Sequence, residues 1–325
     1  MLRKLALSLG LLLAPTLDAA VRAVELPGPL VDPAWLEARL GAEDLVVLDI
    51  RNAIDGGSLE AYAAGHVPGA IYSNYLTDGW RVTRDGVIGM APPPADLERL
   101  IGGLGIGNED AVVLVYGGVN ATDFGSAARI YWTFKYLGHD RVAILDGGWR
   151  AWQAAGLPVE RGVREPEPTL FEARVRPEYA VDTAYVEAAL ERGGAVFVDA
   201  RPAAQFVGEE KHAAARAYGH LPGAWSVPQE AFFDPVTGGL RPREELLEVI
   251  PPELLAMEGT IVAYCNTGHW AATDWFVLHE ILGREGVRLY DASMVGWTKD
   301  AARPVETGTG IMGGIRAWLE RFLES

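Results

Sequence analysis

Cys265 is the one cysteine in a chain of 325 residues, and its neighbours are of the kinds that make a thiol react. The stretch Thr260-Ile-Val-Ala-Tyr-Cys265-Asn-Thr-Gly268-His-Trp270 starts as an apolar run of strand length and breaks at Asn266-Thr267-Gly268. It resumes as an Ala-rich amphipathic segment, so it reads as strand, tight loop, helix. Such a loop gathers backbone N–H groups around the sulfur, and the helix that follows adds its positive end; both favour a thiolate. A lone cysteine taken at random is more often a small buried hydrophobe. Position argues for use, because loops between strand C-termini and helix N-termini are where open α/β sheets place their sites.

Other chemistries lack their residues. A cysteine-dependent phosphatase needs an arginine six residues after the nucleophile to clamp phosphate, and that position is Ala271. One Cys and six scattered His give no metal-ligand spacing, so no metal is expected. Gly102-Gly-Leu-Gly105-Ile-Gly107 resembles a dinucleotide fingerprint but follows the helix-like Asp96–Ile101 instead of opening a helix, and reads as a helix stop and loop.

The elements that must position Cys265 come in duplicate. A first set of blocks runs Leu45-Val-Val-Leu-Asp49-Ile-Arg51, Gly65-His66-Val-Pro-Gly69-Ala70, Val112-Val-Leu-Val-Tyr116-Gly117 and Asp146-Gly-Gly-Trp. A second runs Val196-Phe-Val-Asp199-Ala-Arg201, Gly219-His220-Leu-Pro-Gly223-Ala224, Ile261-Val-Ala-Tyr264-Cys265 and Asp291-Ala-Ser. Asp49 and Asp199 are 150 residues apart, His66 and His220 154. Aligned on the tyrosines, Gly117 falls where Cys265 sits. β-Branched runs alternate with helix-period segments such as Ser126–Leu137 and Ala272–Leu282, which predicts two domains, each a mostly parallel sheet flanked by helices.

Residues 1–23, with Arg3-Lys4, a short apolar core and Val21-Arg-Ala23, read as a secretory signal peptide cleaved after Ala23, so the expected location is the periplasm. Residues 24–158 form the first domain, the proline- and charge-rich 159–178 an extended linker, and 179–325 the second domain, ending in a helix docked by Trp318 and Phe322. Net charge is −16; the leader carries Arg3, Lys4 and Arg22 against Asp18, so the remainder is −18. That acidity disfavours nucleic acid and anionic membrane, and no other apolar run is long enough to span a bilayer.

Two α/β halves, the Asp-x-Arg and Gly-His-x-Pro-Gly-Ala blocks and a Cys loop in the second half alone resemble the tandem rhodanese sulfurtransferases over essentially all of 24–325. The resemblance implies that Cys265 takes a sulfane sulfur from a small anionic donor as a persulfide and hands it to a thiophilic acceptor, cyanide or a thiol. No metal or organic cofactor is implied. The first domain would be a non-catalytic wall of the site. Thiosulfate-specific members resemble Cys-Arg-Lys-Gly-Val-Thr at this loop and mercaptopyruvate-specific ones Cys-Gly-Ser-Gly-Val-Thr; here it reads Cys265-Asn266-Thr267-Gly268-His269-Trp270, matching both only at the cysteine and Gly268. Thiosulfate is the expected donor. The alternatives are 3-mercaptopyruvate, or a non-enzymatic persulfide carrier serving a partner sulfur-acceptor protein.

Lacking the Arg-Lys pair, the loop needs positive charge from elsewhere. Arg201 could bind the donor or form an ion pair with Asp199. His269 could be a cation, a hydrogen-bond donor to the anion or an outward-facing helix residue. Lys211, His212 and Arg216 read more simply as solvated charge. Asn266, Thr267 and Trp270 are further substrate-binding candidates, while Gly268 suits a backbone closed to other residues and Trp275 suits the core. His66 and His220 occupy matching turns, which favours a structural role, with His66 a possible substrate contact.

Overall fold

A computed structural model describes residues 23–308. The leader up to residue 22 and the helix expected around Trp318 and Phe322 lie outside the described residues.

The short β-branched runs form two five-stranded, all-parallel sheets of one topology. In the first, Leu30–Val31 lies beside Val142–Leu145, then Ala111–Val115, Leu45–Asp49 and Ile71–Tyr72. In the second, Ala180–Val181 lies beside Val287–Tyr290, then Thr260–Tyr264, Ala195–Asp199 and Trp225–Ser226. Central strands such as Ala111–Val115 are apolar throughout and buried at every position, as a sheet covered by helices on both faces requires.

Register corrects the alignment made on the tyrosines. Asp49 pairs with Val115 and Asp199 with Tyr264, so Val115 matches Tyr264 and Tyr116, not Gly117, stands where Cys265 does. The loop hydrogen bonds agree: Trp149 and Arg150 donate to the carbonyls of Tyr116 and Gly117, as Met294 and Val295 do to those of Cys265 and Asn266. A single tyrosine match in the sequence cannot reveal a one-residue slip; hydrogen-bond pairing can.

The halves are joined by one helix and two exchanged hairpins. Ala121–Tyr136, longer at its start than the Ser126–Leu137 expected, is buried continuously from Asp123 to Phe134 because it runs between the halves. Phe124 and Tyr131 meet Phe276 edge-on at 5.8 and 4.8 Å. The segment expected as a helix over Ala272–Leu282 is an α-helix at Trp270–Trp275 that widens into a π-turn at Phe276–Ile281. The hairpin Val82–Arg84 with Val87–Met90 turns through Asp85 and Gly86, both at positive φ as a tight primed turn demands. It leans on the second half, where Ala91 N–H donates to Asp291 Oδ2 at 2.7 Å. Phe233–Asp234 with Gly239–Leu240 leans the other way, and Tyr116 O–H donates to the Gly238 carbonyl at 2.8 Å.

Residues 155–176 contain no helix or strand, yet they are fastened. Thr169 N–H donates to Gly102 O at 2.9 Å, Arg174 N–H to Leu137 O at 2.8 Å, and Phe171 is buried. The Gly102–Gly107 run lets this strap in: a Cβ on Gly105 would come within 2.7 Å of the Glu167 carbonyl.

Candidate functional site

The loop after Thr260–Tyr264 is shaped by the turn that ends the neighbouring strand. Ser293 lies at φ 47°, where its counterpart in the first half is Gly148 at φ 58°. Holding a side chain there is unfavourable, and its hydroxyl explains it: Ser293 Oγ accepts from Cys265 N–H at 3.0 Å and Gly268 N–H at 3.2 Å and donates to Tyr290 O at 2.8 Å. Met294 and Val295 draw the Cys265 and Asn266 carbonyls the same way, each at 3.0 Å. From the first half, Arg129 Nη1 takes the Gly268 carbonyl at 3.0 Å and its Nη2 pairs with Asp291 Oδ1. Gly268 is at φ 70°, where an added Cβ would press on Arg129 and Asp291.

The carbonyls are thus tied back, and the N–H groups of Asn266, Thr267 and His269 have no protein acceptor among the described residues. Successive free amides in a loop are a cradle for an anion. Cys265 itself is 1 % exposed. A cleft of about 710 Å³ between the halves, walled by Met90, Trp132, Tyr136 and Tyr185, reaches Asp291 and Ala292 beside Ser293, and Cys265 is not among its walls.

Several candidate residues have other duties. Arg201 is a correction: its Nε and Nη2 bind both oxygens of Asp199, Nη2 also donates to Gly219 O at 2.8 Å, and the group is 1 % exposed. Arg51 makes the same bonds to Asp49 and Gly65 O in the half without a cysteine, so this is a strand-end lock common to both halves. His269 is a second correction. Its Nε2 faces the Thr122 carbonyl at 2.8 Å, which can only accept, so Nε2 carries the proton and Nδ1 accepts from Tyr75 O–H at 2.6 Å. Burial, with Arg81 behind it, pushes its pKa down to about 3, so it is no cation. Trp270 Nε1 donates to Thr122 Oγ1 at 3.1 Å, and His269 and Trp270 together dock the loop on the first-half helix rather than reach for a donor.

Asn266 Nδ2 donates to Gln205 Oε1 at 2.8 Å, while its Oδ1 is buried without a partner. Thr267 Oγ1 accepts from Arg81 Nη2 at 2.9 Å. Lys211 Nζ donates to Ala215 O, Arg216 is exposed and bonds Lys299 O, and His212 is half-buried. His66 and His220 each stack on an aromatic ring, Tyr62 at 4.0 Å and Phe206 at 3.7 Å, and bond a backbone carbonyl through Nδ1; neither contacts the cysteine loop. Trp275 is fully buried.

Sequence reasoning missed Tyr75, Arg81, Arg129, Asp291 and Ser293. Only Ser293 left a trace, a serine where the other repeat has the second glycine of Asp146-Gly-Gly. Asp274, fully buried with neither oxygen hydrogen-bonded, was missed as well. Burial, then the neighbouring Cys265 and Asp199, pushes its pKa well up.

Comparison with known proteins agrees with the geometry. The rhodanese-like domain family matches twice, over residues 32–155 and 182–300. A probable 3-mercaptopyruvate sulfurtransferase of Pseudomonas aeruginosa is 35 % identical over 287 residues, covering 86 % of this chain and 98 % of that protein. Thiosulfate/3-mercaptopyruvate sulfurtransferase 2 of Arabidopsis thaliana is 30 % identical, covering 85 % and 86 %. The crystal structure of YnjE superposes with a TM-score of 0.70 at 27 % identity, over 88 % of this chain and 70 % of that one. With both halves matched and most of each sulfurtransferase relative covered, the chain belongs to the rhodanese-like family, as a two-domain sulfurtransferase.

Proposed function

We propose that Cys265 carries the transferred sulfur as a persulfide, with thiosulfate as donor. The Cys265 thiolate attacks the outer sulfur of thiosulfate, the S–S bond breaks, and sulfite leaves with the bonding pair. Cyanide or a thiolate then takes the terminal sulfur, and the Cys265 thiolate returns. Both steps are displacements at sulfur, so no oxidant or metal takes part. The observation that carries this reading is the cradle: free N–H groups at Asn266, Thr267 and His269 flank the sole cysteine and suit the anionic persulfide.

The same cradle fits 3-mercaptopyruvate, which would release pyruvate once its enolate is protonated. Thiosulfate is preferred because its charge lies on the group that leaves and needs no proton on departure. The leader-like residues 1–23 support a periplasmic site for the reaction.

Mixing the protein with thiosulfate and following intact mass, then adding cyanide and following thiocyanate, tests the reading. The expected result is a gain of one sulfur atom that cyanide removes, with both events abolished in Cys265→Ser. Thiocyanate production that survives this substitution would overturn it. Parallel turnover with 3-mercaptopyruvate reads the donor preference.

A further inference from the structure

Among the described residues, three guanidinium groups approach the cysteine loop, and one of the three lacks a counter-charge. Arg201 is locked on Asp199, and Arg129 on Asp291. Arg81 has no carboxylate within ion-pair distance among the described residues. It belongs to the first half and reaches across to Thr267, with Nη2 2.9 Å from Oγ1 and 3.4 Å from the carbonyl. Its Nη1 has no protein acceptor among the described residues, and the side chain is only half-buried.

The hairpin is built to admit this group. Gly89, at φ 77°, lies against the guanidinium, and any Cβ there would run into Nη2 and touch Thr267. Tyr75 supports it from below, with the guanidinium carbon 5.5 Å from the ring centroid. On the second half's side, His212 and Lys211 stand nearby: burial first, then Arg81 and Lys211, push the His212 pKa down.

We propose that Arg81 is the group that binds the anionic head of the sulfur donor, so that the donor site is completed by the half that holds no cysteine. This rests on Cys265 as the sulfur carrier. A planar guanidinium with a free edge suits the sulfonate of thiosulfate, or the carboxylate of a mercapto acid, while the loop amides face the sulfur to be moved. The same contact explains how the loop can lack basic residues of its own.

Two measurements test it in the full chain. Thiosulfate titrated calorimetrically into Cys265→Ser, which cannot take sulfur, should bind roughly 10- to 100-fold more weakly once Arg81→Gln is added, the range for losing a charged hydrogen bond. With Cys265 intact, Arg81→Gln should raise the half-saturating thiosulfate concentration for persulfide formation by a similar factor. Cyanide discharge of a preloaded persulfide should stay within about 3-fold. Arg81→Lys should restore part of the loss, and Arg216→Gln, an exposed control, should change neither step. Unchanged binding in the double variant would overturn the proposal. So would equal slowing of loading and discharge, which would mean that Arg81 only shapes the loop through Thr267. Failure of wild-type Cys265 to gain sulfur, with Arg81-dependent binding intact, would sink the persulfide reading instead.

Discussion

The loop at Cys265 and its counterpart at Tyr116 have one fold and opposite electrostatics. In the first half the N–H groups of Gly117, Gly118 and Val119 converge on the carboxylate of Asp123, at 3.2, 2.7 and 3.0 Å. A phenol replaces the thiol, tied to Gly238 of the other half. By the strand register, and with Asn120 and His269 as matching helix caps, Asp123 corresponds to Ala272. The first half has filled its own anion cradle with a side chain; the second leaves the cradle open. The first half thus differs from the second in two ways, the missing sulfur and the occupied amides, and the second difference is invisible to a search for cysteine alone.

Transplanting the plug gives the largest expected effect. Ala272→Asp should set a carboxylate against the free amides and slow persulfide formation by roughly 100-fold or more, as losing such donors does elsewhere. Single-turnover mass spectrometry beside a thermal melt measures it, and normal loading in a folded variant would end the idea that open amides distinguish the halves.

Loosening the cradle should cost less. Ser293→Ala strips the acceptor from Cys265 N–H and Gly268 N–H, so loading should fall roughly 10-fold and stability by about 1–3 kcal/mol. Denaturant titration and loading rates should move together; a stability loss alone would show that Ser293 merely packs the turn.

The smallest effect is a pH slope. Burial, then the neighbouring Asp55, pushes the Asp123 pKa up to about 7. An acid whose pKa rises on folding takes up a proton as the chain folds. Its contribution therefore weakens the fold as pH climbs from about 4, the ordinary carboxyl value, to about 7, and levels off above. Asp123→Asn should flatten that decline in unfolding free energies measured across the window, without changing turnover by more than about 2-fold. An unchanged slope would show that another group carries the titration.

Much of this was legible in the residues. Val196-Phe-Val-Asp199 and Ile261-Val-Ala-Tyr264 announce buried parallel strands because β-branched runs pack on covered sheets. The loop after Tyr264 announces itself through turn residues followed by a helix. His269 was open to misreading because its chemistry depends on Tyr75 and Thr122, 194 and 147 residues away. Arg201 was ambiguous until Arg51 showed the same lock in a half with no thiol.

What the chain determined by itself is local: two repeats of alternating strand and helix, and one sulfur at a strand's end. These follow from periodicity and residue type within short windows, which set backbone conformation directly. Tertiary structure alone decided which cation stays unpaired, which amides stay free and which half is plugged. Each depends on the two halves lending hairpins and a helix to one another, and Coulomb and hydrogen-bond forces act on distances in space, to which position along the chain is no guide.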